Sequence, residues 1–292
     1  MENGESPNAE RQDRKGKPNL PIWEMRASQN LLFDTRVIGQ ENIETIPQGK
    51  NIIIVATHIS AYYDIPLVIS AVSNHLKNIT VVVEPRRKTF RQDPINYLGF
   101  LVGSRGKFTI DNNARNYLNK FDPNDFVPMK KSLEDGKPLV MAAYFSPKYF
   151  KLDELPKHGG NGAALLGLIT ENAIFLPVAV NAKQPLNIKP TLTENNLYLL
   201  KKSIKNGRIN VDVTIGKPFT LNHIKNSDRL LELLQKRKSI TGLLSKGEQK
   251  EYLGLKKQLK NQSKIIMRHL AELLPPQKRG VWGKKEEQNL PS

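Results

Sequence analysis

The stretch "IIIVATHISAYYDIPLVISAV", residues 52–72, decides the fold prediction. A β-branched run ends in a turn that carries His58, and Asp64 follows six positions later, before a second apolar run. The first run predicts a buried strand, and residues 65–76 predict a helix. Ligands of open α/β sheets bind beyond the carboxyl ends of strands, so this junction is the first candidate for a functional site.

The rest of the chain alternates between strand-like and helix-like segments. Short apolar runs predict strands at residues 50–56, 79–83, 139–143 and 174–180. Helical patterns separate them at residues 94–102, 113–121, 127–135 and 162–172. Apolar and polar residues alternate over 208–215, which is typical of a half-exposed strand near a sheet edge. The sequence therefore predicts an α/β fold with a mixed, largely parallel central sheet flanked by helices.

The two ends of the chain differ from this middle part. Residues 1–19 and 284–292 are polar, which predicts disordered tails. We expect an α/β domain over residues 20–226 and a C-terminal helical extension over 227–283. The extension carries an apolar stripe at helical spacing, which is expected to pack on the domain: Tyr252, Leu255, Leu259, Ile266, Leu270 and Leu273.

The composition limits the classes of partner and chemistry. Lys and Arg number 45 against 28 Asp and Glu, and the resulting net charge of +17 favours polyanionic partners. Lipid surfaces, acidic carrier proteins, phosphorylated substrates and nucleic acid all qualify. The absence of cysteine excludes disulfides, thiolate metal sites and a cysteine nucleophile. No apolar stretch is long enough to span a bilayer, so any membrane contact is expected to be peripheral.

His58 and Asp64 are suited to form a proton-transfer pair. An imidazole can accept a proton from a hydroxyl, and a carboxylate behind it would fix its tautomer and stabilise the imidazolium. A lone histidine followed six positions later by an aspartate is common, and the spacing also fits a purely structural role, in which Asp64 caps a helix that has Pro66 at an early position. Spacing alone leaves both interpretations open.

Five segments between residues 37 and 282 resemble, in the same order, the motifs of one enzyme family. They read "VIGQENIETIPQGKNIIIVATHISAYYDIPLV", "EPRRKTFRQDPINYLGFLVGSRGKFTID", "GNGAALLGLITENAIFLPVAV", "IGKPFTL" and "IMRHLAELLPPQKRGVW". The family is that of the glycerolipid acyltransferases, which includes the PlsC-like 1-acylglycerol-3-phosphate acyltransferases. The family's H-x4-D motif and the residues after it are matched by His58, Ser60, Asp64, Ile65 and Pro66.

The resemblance implies an activity and a site. In the family, the histidine is the general base on a glycerol hydroxyl, the aspartate orients it, and the acyl donor is a thioester of coenzyme A or acyl carrier protein. For this chain it implies acyl transfer to a glycerol phosphate or lysophospholipid, with His58 and Asp64 catalytic, no metal and no cofactor besides the donor. The expected location is cytoplasmic, peripherally associated with the anionic inner face of the membrane. The expected substrate-binding residues are Ser60, Arg86, Arg105, Arg115, Ser146 and Lys148.

The spacing of the catalytic motif departs from the family pattern. Five residues rather than four separate His58 from Asp64, and in a continuous helix one added residue would turn the carboxylate by ~100°. The pair can meet only if the turn absorbs the surplus residue. We assign the aspartate to Asp64 because Ile65 and Pro66 keep the family register.

Two phosphate-binding positions of the family are also changed. Asn112 stands where the family has an arginine, so Arg105 or Arg115 is expected to replace its contact. The segment "AAYFSPKYF", residues 142–150, occupies the place of the F-P-E-G-T-R loop. Either Lys148 or Lys151 contacts the phosphate of a different acceptor, or acyl transfer has been lost.

Three further segments carry open alternatives. Arg86 belongs to the basic cluster "RRKTFR", residues 86–91, which suits a phosphate head group or an acidic carrier protein but also a solvated face. Residues 20–33, "LPIWEMRASQNLLF", suit an interfacial helix or packing against the core. The segment "KHGGNG", residues 157–162, suits a phosphate-binding loop less well than a plain turn.

Other functions compete with acyl transfer. The first is a catalytically degenerate member that binds lipid without turnover. A basic nucleic-acid-binding protein fits the charge, but the sequence has no zinc-finger spacing and no RNP-type aromatic motif. A hydrolase would need Ser60 or Ser146 as nucleophile, and neither lies in a G-x-S-x-G elbow.

Overall fold

The computed structural model describes residues 30, 32–57, 64–81, 126–144, 154–183, 198, 201–222, 227–238 and 244–283. The strands in these residues are β1 (Phe33–Ile38), β2 (Asn51–Ala56), β3 (Thr80–Val81), β4 (Leu139–Ala142), β5 (Ala173–Ala182) and β6 (Ile209–Ile215). The α-helices with both bounds defined are α1 (Glu41–Glu44), α2 (Asp64–Val72), α3 (Phe126–Glu134), α4 (Asn161–Ile169), α5 (Ser227–Lys238) and α6 (Lys246–Glu272). Two 3-10 turns follow, Pro276–Lys278 and Gly280–Gly283.

The described strands form a single sheet in the order β1-β6-β5-β2-β4-β3. The four neighbours β5, β2, β4 and β3 run parallel to one another. Strand β6 runs antiparallel to β5, and β1 pairs in parallel with β6. This mixed, mostly parallel sheet, flanked by helices and followed by a C-terminal helix, confirms the predicted α/β fold class.

Helices cover both faces of the central strands. On one face, Leu67 and Val68 of α2 pack in the same apolar cluster as Ile54 of β2. On the other face, α3, α4, α5 and α6 pack in a second cluster around Ile53 and Val55. Because neither face of β2 meets water, its sequence is a continuous apolar run, which is why the sequence predicted it well.

Strands β6 and β1 differ because one of their faces is open. In β6, buried Ile209, Val211, Val213 and Ile215 alternate with partly or fully exposed residues, as the sequence predicts for 208–215. Strand β1 was missed, although "FDTRVI" also alternates. Phe33 is its first residue and is buried in the core, so the interfacial-helix interpretation of residues 20–33 is wrong for Phe33.

The C-terminal helices pack on the same core as the sheet. Helix α5 contributes Leu230 and Leu233, and α6 contributes the predicted stripe from Tyr252 to Leu270. The packing is close elsewhere too: a Cβ on Gly167 of α4 would lie 2.3 Å from the Phe175 ring of β5. The proposed division of the chain at residue 226 stays a prediction.

Two predicted helices, residues 94–102 and 113–121, lie outside the described residues. So do both predicted tails and most of the segment 20–33. Within the part of the chain that the structure describes, no helix combines the length and apolar character needed to cross a membrane.

Candidate active site

The carboxyl ends of β2 and β4 lie side by side, and this edge of the sheet is the candidate active site. The two strands pair in parallel up to Ala56 and Ala142. The Ala143 N–H then donates to the Ala56 carbonyl at 2.9 Å, which extends the pairing by one residue. His58 follows Thr57 in the chain, and Ser146 comes two residues after Tyr144.

Thr57 fixes the point where the chain leaves β2. Its N–H donates to the Val178 carbonyl at 3.1 Å, and its hydroxyl accepts a 2.9 Å hydrogen bond from the Val180 N–H. The residue is fully buried. The residue before His58 is therefore held by β5 through both its main chain and its side chain. Sequence reasoning missed Thr57, although a polar residue that ends an apolar strand was a usable signal.

Asp64 is the first residue of α2 and is only 1% exposed. The unpaired N–H groups of a helix N-terminus favour a carboxylate there, which suits both the capping role and the orienting role. Residues 58–63 lie outside the described residues, so the accommodation of the surplus residue in the turn stays a prediction.

Asp64 is the one predicted site residue among those that the structure describes. The predicted base and the predicted substrate-binding residues lie outside the described residues and stay predictions: His58, Ser60, Arg86, Arg105, Arg115, Ser146 and Lys148. Lys151 and Asn112 lie outside them as well.

The segment "KHGGNG" serves packing at this edge. The Gly160 N–H donates to the Ala143 carbonyl at 2.8 Å, and the Gly160 carbonyl accepts a 2.9 Å hydrogen bond from the Ser263 hydroxyl of α6. A Cβ on Gly159 would lie 2.6 Å from Cγ of Met267. Both main-chain groups of Gly160 are thus used within the protein, which fits the turn interpretation. The role of Ser263 was not visible in the sequence.

Histidines other than His58 lie in different surroundings. His75 follows the end of α2 opposite to Asp64, and its Nδ1 lies 3.8 Å from Glu44. His269 of α6 stacks on Phe219 with the ring centroids 3.8 Å apart, and its burial lowers its pKa below the ordinary 6.5. Among the described residues, no group of three or more His, Asp or Glu side chains is arranged to hold a metal ion.

Comparison with known proteins finds similarity among solved structures. No family model matches the sequence, and no curated protein sequence matches it either. Among solved structures, the chain is similar to the 1-acyl-sn-glycerophosphate (LPA) acyltransferase PlsC from Thermotoga maritima, with 13% sequence identity and a TM-score of 0.41. The similarity covers 77% of this chain and 79% of that one.

Proposed function

We propose that this chain is an acyltransferase that moves a fatty acyl group from a thioester donor to a hydroxyl of a glycerol phosphate or lysophospholipid. One observation carries the proposal: a buried carboxylate, Asp64, opens the helix that follows β2, and the motif histidine comes directly after the anchored Thr57. The resemblance of five segments to the glycerolipid acyltransferases supports the roles of His58 as base and Asp64 as its orienting group.

The proposed reaction needs only a base, an orienting group and positioning. His58 accepts the proton of the acceptor hydroxyl, and the hydroxyl oxygen attacks the thioester carbonyl carbon. The carbon–sulfur bond then breaks, and the imidazolium donates its proton to the leaving thiolate. Asp64 holds the imidazole in its reactive tautomer and stabilises its charged form. No metal and no covalent enzyme intermediate takes part.

Substrate binding is assigned to the polar and basic residues that the resemblance to the family suggests. Coenzyme A or acyl carrier protein is the proposed source of the acyl group, and an anionic membrane surface on the cytoplasmic side is the proposed place of reaction. The proposed contacts to the substrates are Ser60, Arg86, Arg105, Arg115, Ser146 and Lys148.

A second candidate function is lipid binding without turnover. Tyr144 stands where the family has the glutamate of its F-P-E-G-T-R loop, and this tyrosine is buried. A bulky buried ring in place of an acceptor-binding carboxylate favours a chain that has kept the fold and lost the reaction.

Labelled acyl-CoA and a panel of lysophospholipids test the proposal with the full chain and three variants. We expect turnover by the wild type and a loss of kcat by about 10²-fold or more in His58→Ala and Asp64→Asn, because each loses part of the proton transfer. His75→Ala is the matched control, since His75 lies at the opposite end of α2, and it should keep wild-type turnover.

Each contrary outcome points to one rival. Lysophospholipid binding without turnover, unchanged by His58→Ala, supports the degenerate member. Salt-sensitive binding to DNA or RNA with neither lipid binding nor turnover supports a nucleic-acid-binding protein. Wild-type activity in both His58→Ala and Asp64→Asn would disprove the assigned catalytic pair.

A further inference from the structure

The outer face of α6 carries a row of exposed cations, here called the basic face: Lys250, Lys256, Lys257, Lys260, Lys264 and Arg268. Lys256, Lys260, Lys264 and Arg268 follow one another at i, i+4 spacing, so they lie on one side of the helix. The opposite side is buried in the core. The basic face extends over about 27 Å of helix.

Within α6, the lysines of the basic face have no acidic residue three or four positions away, whereas Arg268 has Glu272 at i+4. Like charges at i, i+4 destabilise a helix, so the pairs Lys256–Lys260 and Lys260–Lys264 cost stability unless an anion compensates them. The start of α6 is arranged differently, because there Glu248 pairs with Lys236 of α5 at 2.7 Å. Within the described residues, no ion pair joins Lys257, Lys260 or Lys264 to a carboxylate.

We propose that the basic face docks α6 lengthwise on an anionic lipid bilayer. This inference rests on the peripheral membrane association contained in the proposed function and names the surface responsible for it. A band of cations along one side of a helix can lie against a flat anionic surface, and each Lys or Arg close to such a surface contributes to adsorption. Leu253 lies within the row and is 53% exposed, so it offers an apolar side chain to the lipid interface.

The composition of the basic face favours lipid over nucleic acid. Five of its six cations are lysines, which act as point charges, whereas arginine is the residue that suits bidentate phosphate and base contacts. Base stacking requires exposed aromatic rings, and Tyr252, the one Phe, Tyr or Trp residue of α6, is buried beside Lys256.

Docking through the basic face would also orient the candidate active site. Ser263 and Met267 lie on the inner side of α6 and contact the loop at Gly159 and Gly160, behind the carboxyl end of β4. That loop is therefore about one helix diameter, ~10 Å, from the lipid surface. A lysophospholipid in that bilayer would then lie on the side of the sheet that α6 covers, near the carboxyl end of β4.

Vesicle sedimentation with the full-length protein tests the inference. The wild type should bind mixed phosphatidylcholine–phosphatidylglycerol vesicles at about 0.1 M salt. It should not bind the mixed vesicles at about 1 M salt, and it should not bind pure phosphatidylcholine vesicles. The variant Lys257→Glu, Lys260→Glu, Lys264→Glu should bind at least about 100-fold more weakly, because the loss of each cation costs roughly fivefold and each new carboxylate is repelled by the anionic lipid. This variant adds i, i+4 pairs of Lys256 with Glu and of Glu with Arg268, so α6 should stay folded.

The matched control changes net charge equally but on scattered surfaces. Lys77→Glu, Lys131→Glu, Lys217→Glu replaces three exposed lysines outside α6 and should keep binding within about threefold of the wild type. An equal loss in both triple variants, wild-type binding by the basic-face variant, or no binding of mixed vesicles by the wild type would each overturn the inference. Tighter binding of duplex DNA than of mixed vesicles, lost in the basic-face variant, would assign the surface to nucleic acid instead.

Turnover with monomeric short-chain substrates separates this inference from the proposed function. The basic-face variant should keep wild-type turnover on such substrates, since none of its changes touches the candidate site. Turnover in the wild type together with unchanged vesicle binding in the variant refutes only the docking surface. Vesicle binding that depends on the basic face, without turnover in any form of the protein, refutes only the acyltransferase.

Discussion

The Ser263 hydroxyl donates a 2.9 Å hydrogen bond to the Gly160 carbonyl and so ties α6 to the loop at the carboxyl end of β4. On the other side of Gly160, its N–H donates to Ala143, the residue that follows β4. The C-terminal helix and the candidate site are therefore joined through one glycine. A substitution that breaks this contact should therefore lower the free energy of unfolding and also displace the loop at the carboxyl end of β4.

Gly159→Ala is predicted to destabilise the protein because α6 leaves no room for a side chain. The new Cβ would lie 2.6 Å from Cγ of Met267 and 2.7 Å from the Ser263 hydroxyl, so these side chains or the helix that carries them must shift. We expect the free energy of unfolding to fall by about 1–3 kcal/mol in urea titrations. Gly254→Ala is the control, because a Cβ there meets nothing within 4 Å.

Gly254→Ala should instead stabilise the protein by up to about 1 kcal/mol, since alanine is the better helix former at an interior helical position. Equal stability of the Gly159 and Gly254 variants would mean that the loop and α6 are not packed as described.

Thr57→Val is predicted to cost stability although the two side chains have nearly the same shape. Valine cannot accept the hydrogen bond from the Val180 N–H, which would stay buried without a partner. The expected loss is about 1–3 kcal/mol. Thr57→Ser keeps the hydroxyl and should recover most of that loss. If the proposed reaction holds, Thr57→Val should also lower kcat more than it raises KM, because the residue positions His58.

The sequence predicted those parts of the fold that depend on local patterns. The buried runs of β2, β4 and β5 and the stripe on α6 lie within single elements, so their periodicity was sufficient. Strand β1 was missed because six residues with two charged side chains, Asp34 and Arg36, give a weak apolar pattern. Its partner β6 lies far along the chain, and the strand forms only by pairing with β6, so the local sequence alone was not sufficient to predict it.

The candidate site was predictable only in outline. The spacing of His58 and Asp64 identified a junction, but the burial of Asp64 depends on the packing of α2 against the sheet. The contacts that hold the junction join residues that are distant in sequence: Thr57 and Val180 are 123 positions apart, and Gly160 and Ser263 are 103 apart. No local pattern contains such pairs, so a single sequence did not reveal them.

The start of α6 gives a prediction about capping. The Ser245 hydroxyl accepts from the Glu248 N–H, and the Glu248 carboxylate accepts from the Ser245 N–H, which is a complete capping box. Ser245→Ala should lower the free energy of unfolding by about 1 kcal/mol. Ser245→Asp restores an accepting oxygen and should recover most of the loss. An unchanged midpoint in Ser245→Ala would show that the cap does not limit stability.

Acid should weaken the same region of the protein. The hydrogen bond from Lys236, followed by that from the Ser245 main chain, lowers the pKa of Glu248 from 4.5 to about 2. A lowered pKa in the folded state means that the contribution is complete above pH 4.5 and is lost as the pH falls through about 2. Between these two pH values, the free energy of unfolding should depend less steeply on pH in Glu248→Gln than in the wild type. A slope identical to that of the wild type would contradict the pairing with Lys236.

His269 is predicted to make stability depend on pH near neutrality. Burial against Phe219 lowers its pKa, and the nearby Glu272, 3.7 Å from Nδ1, opposes this effect only partly. The unfolded chain therefore takes up a proton more readily than the folded one, so stability is complete above the ordinary pKa of 6.5 and declines below it. In urea titrations from pH 8 to pH 5, the wild type should lose stability and His269→Gln should lose less. Glu272→Gln removes the opposing charge and should steepen the decline, whereas a shallower decline in that variant would contradict the assigned balance of burial and charge.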